Sequence, residues 1–125
     1  MNWFDKQDPS SVNASLGNDL ISALTKTFDI SRKSAWPVIA RHVKASEELG
    51  ELGTCVLVEQ GHIRHKTLKE NSFGEAADTI MCVLDILYSS WPNHSREDII
   101  RGLTNQMLTK SDKWNKVVDD LNNTK

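Results

Sequence analysis

Residues 34–59, SAWPVIARHVKASEELGELGTCVLVE, place their large apolar side chains at the intervals of an α-helix. Val38, Ile39, Val43, Leu49, Leu52, Val56 and Leu57 recur at spacings that gather on one face of a 3.6-residue turn. Pro37 suits a first turn, where its fixed φ is already helical and its missing N–H would have no partner. Gly61 supplies a stop, since the residue just past a helix end commonly adopts a left-handed conformation. Within this apolar helix sit three acids, Glu47, Glu48 and Glu51. Glu48 and Glu51 share a face with Cβ atoms about 5–6 Å apart, whereas Glu47 is turned about 100° from Glu48.

Helical periodicity extends on both sides. Val12, Leu16, Leu20, Leu24 and Phe28, with Ile21 beside them, predict an earlier amphipathic helix that breaks at DISRKS, residues 29–34. Residues 1–11 read as a loose arm. Residues 61–71, GHIRHKTLKEN, are polar and basic and predict a connecting loop. Ser72 and Glu75 form a capping-box pattern for a third helix through Ala76, Ala77, Ile80, Met81, Val83, Leu84 and Leu87 to about Ser89. A turn at residues 91–93, WPN, leads to a second such pattern, Ser95 with Asp98. The fourth helix then carries Ile99, Ile100, Leu103, Met107 and Leu108, with a break near 109–111 before Trp114, Val117, Val118 and Leu121. Residues 122–125 are expected to fray. No strand-like alternation occurs. The expected fold is all-α, a four- to five-helix bundle forming one domain over residues 12–121.

The length of 125 residues suits a single core. A net charge of -2 argues against a partner that is a nucleic-acid polymer, which calls for a strongly basic face. Cys55 and Cys82, each in an apolar segment, read as buried free thiols in a reducing compartment. The start, MNWFDKQDPSS, lacks the basic-then-apolar pattern of a secretory leader. The apolar run from Ile80 to Leu87 is interrupted by Asp85 and too short for a bilayer, so no membrane partner and a cytoplasmic location are expected.

Glu75 and Asp78 repeat the spacing of Glu48 and Glu51 on a second apolar helix. Four carboxylates converging between helices repel one another unless cations join them. Hard divalent ions take such oxygen ligands and leave positions open for phosphates. The small neighbours Ala45, Ser46, Gly50, Gly53, Gly74, Ala76 and Ala77 suggest that the helices approach closely and leave room for hydrated ions. The plain alternative is a solvated acidic face, with Glu75 serving only as a cap.

These residues resemble a known family. EELGEL at 47–52, followed by EAAD at 75–78, is similar to the EExxE…ExxD signature of the MazG-like all-α nucleoside triphosphate pyrophosphohydrolases. LTKSDKW at 108–114 resembles the basic, aromatic-flanked segment after the fourth helix in that family. The likeness covers roughly residues 35–120. It implies that Glu48, Glu51, Glu75 and Asp78 hold Mg²⁺, with Mn²⁺ as a substitute, and that Glu47 supports them. It implies hydrolysis of a nucleoside triphosphate between the α- and β-phosphates, with Glu47 or Glu48 orienting or deprotonating the attacking water. It also implies a homodimer or homotetramer. The rival reading is a non-catalytic helical module that binds nucleotide or a protein partner.

Other side chains complete the candidate site. Lys110 and Lys113 offer mobile positive charge for phosphate, with Arg64, Lys66 and Lys69 of the loop as weaker candidates. Trp114 and Trp36 offer faces for a base, ahead of Trp91. Asn105 could reach substrate. Asp85, seven residues past Asp78, either extends the acidic cluster or makes a polar contact at a subunit interface. His62 and His65 form HxxH without the spacing of a closed zinc site.

Overall fold

The computed structural model describes residues 9–124. Among these residues every regular element is helical: α1 (Pro9–Lys33), α2 (Val38–Glu59), α3 (Ser72–Ser90) and α4 (Arg96–Asn123). The chain forms two compact units, one ending at Ser90 and the other beginning at Trp91.

In the first unit α3 packs against both α1 and α2, and more extensively on α2. Tyr88 is the centre of this packing, with 0% of its surface exposed. Its ring meets Phe28 of α1 edge-to-face at 5.1 Å, and its hydroxyl donates to the Leu24 carbonyl at 3.3 Å. The partner for the hydroxyl is what allows a tyrosine, rather than a phenylalanine, to sit fully buried. Arg32 lies over the Phe28 ring, 4.4 Å from its centroid. Leu84 and Cys55 complete the buried apolar set of this unit. Both cysteines are free thiols; Cys55 is buried, as expected, whereas Cys82 is only half-buried.

The α1–α2 connection is fixed by one buried cation. Arg41, 5% exposed, donates to the carbonyls of Trp36 and Ser34 at 2.9 Å each and to the Ser31 hydroxyl at 3.2 Å. It also forms an ion pair with Asp85 of α3. Asp85 therefore belongs to a pair inside the chain. It is not among the carboxylates grouped around Glu48.

The helix ends differ from expectation in instructive ways. α1 starts at Pro9, so the last residues of the predicted arm are helical, while residues 1–8 lie outside the described residues. The break expected over residues 29–34 is confined to residues 34–37, since α1 continues through Lys33. Pro37 is the N-cap of α2 in extended conformation (φ -67°, ψ 156°) rather than a residue of its first turn. Gly61 ends α2 with φ +81°. The bonds His62 N–H to Leu57 O at 2.9 Å and Gly61 N–H to Val58 O at 3.0 Å complete a Schellman motif around it.

At the start of α3, Asn71 is the cap: its Oδ1 accepts from Gly74 N–H at 3.2 Å. Ser72 lies inside the first turn, and its N–H donates to Glu59 Oε2 at 2.8 Å. Glu75 is thereby freed from the capping box that the sequence suggested. Ser95 does cap α4, accepting from Asp98 N–H at 3.1 Å. α4 then runs unbroken through residues 109–111. Thr109 and Ser111 turn their hydroxyls back to the carbonyls of Asn105 and Met107, at 3.1 and 2.6 Å, so they do not compete with the helical bonds. The helix extends to Asn123, beyond the point where fraying was expected.

Gly50 and Gly53 overturn the reading of a close helix approach, because a Cβ at either would meet nothing within 4 Å. Without a packing role, glycine only loosens α2. Gly53→Ala is expected to raise unfolding free energy in urea by about 0.5–1 kcal/mol. A loss of stability would show that the backbone there is needed bare.

Candidate metal centre

α2 and α3 bring the two acidic pairs face to face. One ligand oxygen from each of Glu47, Glu48 and Glu51 lies within 4.8 Å of the others, and the same holds for Glu48, Glu75 and Asp78. Glu48 is common to both groups. It stands between a cluster along α2 and a cluster reaching across to α3. The four carboxylates predicted as ligands thus fall into two adjoining groups linked through Glu48, with Glu47 in the group along α2. A 100° turn between adjacent residues does not keep a long side chain away from its neighbour's site.

The electrostatics are those of an uncompensated anionic pocket. Glu48 is buried, 7% exposed. Its Oε1 accepts from Lys44 Nζ at 2.9 Å, whereas its Oε2 is buried without a hydrogen-bond partner. Glu75 Oε2 is likewise buried and unpartnered. Buried carboxylate oxygens are ordinarily bonded, and leaving one unpaired carries a large desolvation penalty. Burial holds the Glu75 carboxyl above its ordinary range, with further upward pressure from Glu51, Glu70, Asp78 and Glu48. Lys44 is pushed up by its bond to and the charge of Glu48, then by the charge of Glu47, 3.6 Å away. One cation against this many carboxylates leaves excess negative charge. Glu48, Glu51, Glu75 and Asp78, with Glu47, are able to hold a hard metal ion.

Lys44 was missed in the sequence. Its signal was there, since it lies three residues before Glu47 and four before Glu48, the spacings at which a lysine and a glutamate meet on a helix.

Trp36 is exposed and stands at one end of a surface groove of about 300 Å³. Ile39, Ala40, Val43, Lys44 and Glu47, in order along α2, line the rest of it. The groove therefore leads from an aromatic ring to the edge of the carboxylate cluster. Asn105, Lys110, Lys113 and Trp114 stand on α4 in the second unit, all exposed. His62, Arg64, His65, Lys66 and Lys69 are exposed along the loop before α3. No helix of the described residues is long and apolar enough to cross a membrane. No protein-family model, curated protein or solved structure matches this chain.

Proposed function

We propose that the chain is a Mg²⁺-dependent nucleoside triphosphate pyrophosphohydrolase of the MazG-like kind, cleaving the α–β phosphate anhydride to a monophosphate and pyrophosphate. The observation that carries this reading is the pair of buried, unpartnered oxygens, Glu48 Oε2 and Glu75 Oε2, on facing helices within a group of carboxylates. Such a site is costly to fold unless a cation occupies it. Glu48, Glu51, Glu75 and Asp78 would hold Mg²⁺, or Mn²⁺ in its place. When bound, the ion neutralises charge on the phosphate oxygens.

The remaining steps fall to the chain's own side chains. Lys44 occupies Glu48 Oε1 and leaves the buried Oε2 as the oxygen free to take a cation. Glu47, exposed at the edge of the cluster, is the better-placed base for a water attacking the α-phosphorus. The water's oxygen bonds to phosphorus, its proton passes to Glu47, and the bond to the bridging oxygen breaks to release pyrophosphate. The groove beside Trp36 offers the base an aromatic ring and an apolar lining. The exposure of Leu16, Leu20, Ile39 and Val43 supports a homodimer or homotetramer.

The test is a panel of nucleoside triphosphates with Mg²⁺, analysed for products. Monophosphate plus pyrophosphate is the expected outcome. Orthophosphate alone, or no turnover of any nucleotide, would refute the reading, and Mg²⁺-dependent binding without turnover would favour a non-catalytic nucleotide-binding module. Glu48→Gln is expected to lower kcat/KM by more than the roughly 100-fold that loss of an outer-shell partner costs.

A further inference from the structure

α4 carries a seam that nothing else in its own unit covers. All 21 side chains from Thr104 to Thr124 are exposed, although the set includes Met107, Trp114, Val117, Val118 and Leu121. Trp114 is 74% exposed and Leu121 is 62% exposed. These are not scattered. Met107, Lys110, Trp114, Val117, Leu121 and Thr124 follow one another at alternating intervals of three and four residues. That is the 3.5-residue period of a coiled-coil seam, with Met107, Trp114 and Leu121 at one core position and Lys110, Val117 and Thr124 at the other. The helix is unbroken over the whole stretch.

The charges along the seam favour a single arrangement. Lys110, Asp112 and Lys113 precede the middle of the stretch and Lys116, Asp119 and Asp120 follow it; Lys110 lies in the seam, Lys113 and Asp120 flank it, and Asp112, Lys116 and Asp119 lie away from it. In a parallel pair Lys110 would face its own counterpart within the core, a like-charge contact. In an antiparallel pair centred between Asn115 and Lys116, Trp114 faces Val117 of the second copy and Leu121 faces the stem of Lys110. Lys113 then flanks Asp120 of the second copy, and two-fold symmetry repeats that pair. Sliding the copies by one heptad toward the start of the helix sets Lys113 against itself. The surface is therefore complementary to its own reverse.

We propose that α4 pairs antiparallel with α4 of a second copy of this chain through the Met107–Thr124 seam, with reciprocal Lys113–Asp120 ion pairs setting the register. This assigns Lys110, Lys113 and Trp114 to self-association in place of triphosphate binding, and it does not depend on the catalytic reading. It is isologous, as closed two-fold contacts are.

The test is sedimentation velocity of the full chain at low ionic strength, without nucleotide. Wild type is expected at twice the 14.1 kDa chain mass or a multiple of that. Trp114→Ala combined with Val117→Asp should halve the observed mass. The decisive arm uses exposed charges only, which leave the apolar seam intact. Lys113→Asp and Asp120→Lys each convert two attractions into two repulsions, and each should weaken association by about tenfold or more. Mixing the two single variants should restore it, since each lysine-rich helix then meets an acid-rich one. A wild type of single-chain mass, single variants as tight as wild type, or a mixture no tighter than its components would each overturn the proposal.

Discussion

Arg41→Ala is expected to destabilise the protein by about 3 kcal/mol, the lower end of the cost of stranding one half of a buried ion pair, because Asp85 keeps 26% of its side chain exposed. Asp85 would lose its only cation among the described ion pairs, and the carbonyls of Ser34 and Trp36 would lose their donor. The effect is read from urea denaturation monitored by helical circular dichroism. Arg41→Lys is not expected to rescue, because a single ammonium cannot bridge two loop carbonyls, a serine hydroxyl and a carboxylate as the planar guanidinium does. Since the same fork fixes the backbone of Trp36, tryptophan emission should shift even where the variant remains folded. A loss below about 1 kcal/mol for Arg41→Ala, the scale of a surface pair, would mean that the network is an ornament of the fold.

The second large effect is thermal. Mg²⁺ at one hundred times its dissociation constant should stabilise the fold by about 2.7 kcal/mol, or roughly 10 °C or more in Tm for a domain of this size. The pH dependence follows from Glu75, whose carboxyl is raised above its ordinary 4.5 chiefly by burial. A raised carboxyl means that the folded state holds the proton more tightly than the unfolded chain. Glu75's contribution is then complete below pH 4.5 and is lost as pH rises through its elevated value. Other carboxylates, such as Glu59, are shifted down and act in the opposite sense, so the quantity to measure is the difference between wild type and Glu75→Gln. Without metal, Glu75→Gln should melt higher than wild type at neutral pH, and the gap should close in mild acid. With Mg²⁺ the order should reverse. A metal-free gap independent of pH, or an equal Mg²⁺ shift in both proteins, would remove Glu75 from the site.

The helices and the acidic pairs were legible in the sequence because both are local patterns. Periodicity placed α2 and α3, and i, i+3 spacing put Glu48 with Glu51 and Glu75 with Asp78 before any packing was known. What was not legible depends on which helix meets which. Arg41 looks like a surface residue until α3 brings Asp85 beside it. Gly50 and Gly53 suggested a tight crossing, yet the space over them is open. Ser72 and Glu75 matched a capping box, but Asn71 one residue earlier competes for the same role and wins. The pattern Ser-x-x-Glu cannot reveal that competition, nor that Glu59, thirteen residues before Ser72, has already claimed its N–H.

That last bond, from Ser72 N–H to Glu59 Oε2 at 2.8 Å, joins the final residue of α2 to the first of α3. Together with the Schellman closure at Gly61, it means that the spatial relation of the two acid-bearing helices is settled at the feet of the intervening loop and not along its length. The segment between them is therefore open to insertion, deletion and wholesale change of character. A lineage of such chains can lengthen or recolour residues 64–69 to meet new partners while the carboxylates stay where they are.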